Sequence, residues 1–183
     1  METRYLIVQY ATMLEELCSL YLCELLQIDK KSSISFGYGS QSLSFNAKVN
    51  LITDLSKTDK KLKAKFILFA EIRNKFAHVF DVSSFKAFCS LGKDWEKKGK
   101  DLLNFYEIES IPNEEVHFTL AYILLYKELE KYITHLSFES AHNRGYIQGR
   151  LDALEKYKEI VRKELFKMPK GKEILSKYLK EFE

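Results

Sequence analysis

Proline is nearly absent from this chain, with two residues in 183, and glycine is scarce at seven. Breakers this rare, beside abundant Leu, Lys and Glu, exclude a turn-rich β architecture and favour long helices. Cysteine is limited to Cys18, Cys23 and Cys89. An odd count, with the first two inside one predicted helix, gives neither a disulfide framework nor a metal-ligand spacing. The expectation is buried, reduced thiols, no metal and no cofactor. A dominant charge is lacking too: 29 basic residues face 26 acidic ones, a net charge of +3. That permits a nucleic-acid partner without arguing for one. Gln9, Glu15 and Glu16 interrupt the apolar N-terminal run. No signal peptide, no window long and apolar enough to span a bilayer and no membrane partner are therefore expected, in a cytoplasmic protein.

What is present is helical periodicity. Hydrophobic residues make up 46% and charged residues 30% of the chain, a globular composition. The length suits one domain, or one domain with a helical extension. Leu6, Tyr10, Leu14, Leu17, Tyr21 and Leu25 repeat at helical spacing over residues 4–27. The segment after Leu26 is rich in Ser, Gly and Asp and predicts a flexible helix entry. Its Gly37-Tyr38-Gly39 lacks the companions of a phosphate loop. Ser42 or Ser44 is the expected N-cap of a helix through Leu55, and Thr58 that of a helix carrying Leu62, Phe66, Phe69, Ile72 and Phe76. Lys57, Lys60, Lys61, Lys63 and Lys65 crowd its first turns, against the macrodipole, and read first as a solvated face and second as a phosphate-facing surface. One helix is expected through Phe85, Phe88 and Trp95. Another, at about 116–138, is the most apolar stretch and the predicted central core helix. Asn143-Arg144-Gly145 could break the chain or merely loosen a helix. Beyond Ile147 a narrower stripe, Leu151, Leu154, Val161 and Leu165, suits packing on a partner helix within or between chains. Pro169 marks a short final helix at 170–182. The expected organisation is a bundle domain over 1–138 and a charged helical extension over 139–183.

One stretch concentrates chemistry: Glu71-Ile72-Arg73-Asn74-Lys75-Phe76-Ala77-His78. By spacing, Glu71, Asn74 and His78 share a helix face beside the apolar stripe Phe69, Ile72 and Phe76. Arg73 lies about 140° round the helix from His78. Two readings stay open. In one, His78 exchanges a proton with a ribose 2′-hydroxyl or a leaving oxygen, and Arg73 clamps the scissile phosphate. Asn74 and Glu71 support them, Lys75 contacts RNA, and no metal is required. In the other, the cluster is a polar network that holds helices together, with His78 favourable in a last helical turn.

Arg73-Asn74-Lys75-Phe76-Ala77-His78 resembles the R-x4-6-H motif of the HEPN superfamily. The chain is similar in more detail to mannitol operon repressor-like proteins. Ser42-Leu43-Ser44-Phe45-Asn46-Ala47-Lys48 matches their helix start, and Ile72 to His78 their helix end. The resemblance spans the layout of roughly residues 5–135 but about 40 residues in motif. It implies an all-α helical bundle, often a homodimer with an active site formed across two chains; the C-terminal helical extension beyond about 140 has no counterpart in it. For the HEPN branch it implies a metal-independent ribonuclease or RNA-binding protein of a defence or toxin–antitoxin system, with Arg73 and His78 catalytic. For the repressor-like branch it implies a non-enzymatic regulatory module. The C-terminal helix is then a candidate contact for a protein partner.

Overall fold

The computed structural model describes residues 3–106 and 113–167, save the side chains of 157, 160–162 and 164–167. The described residues form an all-α helical bundle without strands: α1 Thr3–Leu26, α2 Phe45–Ser56, α3 Lys60–His78, α4 Phe85–Cys89, α5 Lys93–Asn104 and α6 Glu114–Lys167. By contact the chain divides into Met1–Ser137 and Phe138–Glu183, and α6 runs through the boundary. The expected helix at 170–182 lies outside the described residues.

Helix starts are set by short polar side chains that accept the first free amides. Ser44 accepts from Ala47 N, Asp59 from Leu62 N and Ser84 from Ala87 N. Asp59, not Thr58, therefore caps α3. The Thr58 hydroxyl is engaged elsewhere, with Ser56 at 2.7 Å and Tyr132 at 2.9 Å. The expected helix through Phe88 and Trp95 is two helices. Gly92 takes φ +144° between them, a conformation that favours glycine. Asn143-Arg144-Gly145 does not break α6.

The core joins all six helices. Ile7, Leu14 and Leu22 of α1 meet Ile52 of α2, Phe66, Phe69, Ile72 and Phe76 of α3, and Leu125, Leu129 and Ile133 of α6. An aromatic run crosses it: Phe69 stacks on Tyr122 at 4.6 Å, Phe85 on Phe118 at 5.2 Å, and Phe76 meets Phe85 edge-on at 5.2 Å. Gly99 lets α5 approach closely, since a β-carbon there would lie 2.7 Å from Cys89 Sγ. In α1 the buried set is Ile7, Ala11, Leu14, Cys18, Ser19, Tyr21, Leu22 and Cys23, which keeps Leu14 and Tyr21 of the expected stripe. The stripe is thus rotated about one residue from the expected one, and Leu6, Tyr10, Leu17 and Leu25 pack at its margin.

Three expectations change here. By length and composition alone, α1 is apolar enough to cross a membrane. Its only charges between Tyr5 and Cys23 are Glu15 and Glu16, too few to exclude it. In this fold its apolar stripe is packed into the bundle. The loop after α1 is tied down rather than loose: Phe36 is buried, and Lys30 contacts Glu16 and the Tyr38 hydroxyl. The lysine-rich start of α3 is not uniformly solvated. Lys65 is buried, and its ammonium donates to both Glu128 oxygens at 2.6 and 2.5 Å.

Candidate functional site

The stretch 71–78 forms the last two turns of α3. Its apolar members fix its orientation, because Ile72 and Phe76 are fully buried. The helix stops at His78, where Val79 turns to an extended conformation. Carbonyls at this end and just beyond it are met from α1. Arg4 donates to Phe80 O at 3.0 Å and to Ala77 O at 3.4 Å. A cation at a helix C-terminus is favourable with the dipole as well as with the hydrogen-bond demand.

The polar residues point to different neighbours. Arg73 Nη1 donates to Asn74 Oδ1 at 2.9 Å, and Nη2 lies 3.7 Å from Glu15 Oε2 on α1. The other oxygen of Glu15 accepts from Lys48 Nζ of α2 at 2.9 Å. One carboxylate thus joins three helices. Lys48 is buried, at 4% exposure, and this carboxylate is its ion-pair partner. Arg73 keeps a quarter of its side chain open. On the other flank Glu71 pairs with Lys98 of α5 at 2.7 Å. The Lys75 ammonium lies 4.4 Å from the Trp95 ring centre, with Lys98 at 4.3 Å from the same ring. A groove of about 500 Å³ between α3 and α5 is bordered by Ile67, Glu71, Lys98 and Phe105.

His78 differs from all of these. It is exposed, and it has no hydrogen-bond or ion-pair partner among the described residues. The structure therefore brings Arg73 and Asn74 together and sends Glu71 and Lys75 to α5. The shared face expected for Glu71, Asn74 and His78 holds as spacing, but the three have three different surroundings.

Sequence reasoning singled out neither Glu15 nor Tyr122 for the site. Tyr122 is fully buried behind the motif, and its hydroxyl has no hydrogen-bond partner among the described residues. Burial raises its pKa well above the ordinary tyrosine value, and the positive charge of Arg73 opposes that rise in part. The Cys18 thiol, one turn beyond Glu15, is pushed up to about 12 by burial, with Lys48 opposing. The available signal was a charge inside an apolar stripe: Lys48 sits among Phe45, Val49 and Ile52. A buried lysine needs an acid close by.

Among the described residues no three His, Cys, Asp or Glu are placed to hold a metal. The chemistry available is thus a solvent-open imidazole at a helix end and a guanidinium oriented by a carboxylate and an amide. Compared with known protein families, curated proteins and solved structures, the chain matches none.

Proposed function

We propose that the bundle is a HEPN-like RNA-handling domain, with His78 as the proton-transfer group and Arg73 as the phosphate contact. The observation that carries this reading is the state of His78: exposed, without a partner among the described residues, and open to a substrate. Arg73 supports it by being oriented in advance. Asn74 and Glu15 fix the guanidinium while a quarter of the side chain stays open, which lowers the ordering cost of gripping a phosphate. Lys75, beside Trp95, adds positive charge for an RNA backbone, while Lys98 on the same ring is paired with Glu71.

In this reading His78 takes the 2′-hydroxyl proton, and the 2′-oxygen attacks the adjacent phosphorus. The developing charge falls to Arg73, and the 5′-oxygen leaves with a proton. The motif of one chain supplies one imidazole. The acid step therefore needs a second His78 from another copy, or water.

A second reading is favoured by a different observation. Arg73, Glu71 and Lys75 each tie α3 to a neighbouring helix or ring within the same chain. That suits a non-enzymatic regulatory module of mannitol operon repressor-like type, with the motif structural. The test is incubation of the full chain with mixed RNA, without metal, beside His78→Ala and Arg73→Ala. The RNA reading expects cleavage by the parent chain and loss of at least about a hundredfold in His78→Ala at unchanged melting temperature. No cleavage by the parent chain, or equal cleavage by all three, selects the regulatory reading.

A further inference from the structure

The part of α6 beyond Ser137 carries a feature that the RNA reading does not use. Ile147, Leu151 and Leu154 are 57, 51 and 49% exposed. With Lys158 they alternate by four, three and four residues, and the sequence continues the alternation at Val161 and Leu165. This is the 3.5-residue repeat of a supercoiled helix, two seam positions per heptad. The bundle half of the same helix has another pattern. Ala121 with Tyr122, and Leu125 with Tyr126, are adjacent buried pairs that make a face wide enough for several neighbours. The narrow stripe fits one facing helix.

The flanks indicate which helix. With Ile147 and Leu154 at d and Leu151 at a, Arg150 falls at g and Glu155 at e. In two parallel, in-register helices the g residue of one faces the e residue five places on in the other. Arg150 then meets Glu155 of a second copy, twice by symmetry. On its own helix Arg150 lies 5.8 Å from the Tyr146 ring and makes no ion pair among the described residues. Glu155 is 3.6 Å from Lys158. Lys158 occupies an a position, where one polar residue costs stability but fixes register and strand number. A self-complementary flank of this kind needs only a second copy of the same sequence.

We propose that α6, from Ile147 through Lys158 and along the sequence to Leu165, forms a parallel two-stranded coiled coil with a second copy of this chain. The proposal is independent of whether the motif at 71–78 cleaves RNA. Molar mass of the full chain is measured by light scattering across a dilution series. The parent chain is a dimer, and Leu151→Glu with Leu154→Glu is a monomer with the bundle still folded. Arg150→Glu, which faces like charges twice, weakens the dimer by about tenfold. Adding Glu155→Arg to Arg150→Glu restores it. Leu154→Cys cross-links two chains on mild oxidation through the introduced thiol, because parallel d positions face each other, whereas the parent chain does not. A monomeric parent chain overturns the proposal. So does a dimer that survives the double glutamate variant, a charge swap without rescue, or the absence of a cross-link at position 154.

Discussion

Arg73 and His78 stand five residues apart on one helix and have opposite surroundings. Arg73 is held by Asn74 and shares Glu15 with buried Lys48, whereas His78 is exposed and bonded to nothing among the described residues. The same split separates Glu71 and Lys75, engaged with α5, from His78. Residues that look like one constellation in sequence thus divide into those that position helices and one that is free to react. The rest of α3 repeats the first kind of use. Lys65 on its inner face is satisfied by Glu128, which also accepts from the Tyr106 hydroxyl at 2.7 Å.

The comparison breaks most severely where a shared carboxylate is removed. Glu15→Ala leaves buried Lys48 without an acid and releases Arg73. A loss of about 3 kcal/mol in chemical denaturation is expected, the low end for an uncompensated buried charge, because Glu15 is itself partly exposed. Lys48→Met in the same chain should recover most of that loss by removing the buried charge. A Glu15→Ala variant as stable as the parent would show that the carboxylate holds nothing together. Arg73→Ala should cost less, about 1 kcal/mol. Its ion pair spans 3.7 Å and its side chain is partly solvated, so screening by water limits the interaction.

Acid acts on the inner face of α3 through Glu128. Burial would raise the Glu128 carboxyl, but hydrogen bonds from Lys65 and Tyr106 outweigh it, and its pKa is lowered. A depressed carboxylate stabilises the fold above its unfolded pKa, about 4.3. That contribution is lost as pH falls through the lower folded value. Thermal melts of the parent chain and Glu128→Gln, taken downward from about pH 6, should therefore draw together as the pH falls below about 4.3. Parallel curves would assign the acid sensitivity to other groups.

Much of the bundle was legible because helical spacing survives without knowledge of partners. Phe66, Phe69, Ile72 and Phe76 could be read as core, and Ser44 was one of two expected caps. The rotation of α1 was not legible. Leu6-Tyr10-Leu17 and Ile7-Ala11-Cys18 are both apolar sets, and the packing of α3 and α6 decides which one is central. The break at Gly92 was missed because one glycine within a helical pattern is ambiguous until its φ is known. At the candidate site the motif residues were legible as chemistry but not as contacts. Glu15 is 58 residues before Arg73 in the chain, and only the fold puts them side by side.

His78→Ala gives the smallest expected change in stability and the sharpest form of the contrast. The side chain buries little and bonds to nothing described, so truncation should move the unfolding free energy by less than about 0.5 kcal/mol. If the imidazole transfers a proton to or from RNA, the same truncation removes cleavage while the melt stays in place. The two effects then dissociate at position 78 and stay coupled at position 15, where Glu15→Ala should impair both stability and cleavage. A large loss of stability in His78→Ala would mean that the histidine serves the fold after all. Arg73 and His78 would then belong to the same structural network, and their different surroundings would carry no catalytic meaning.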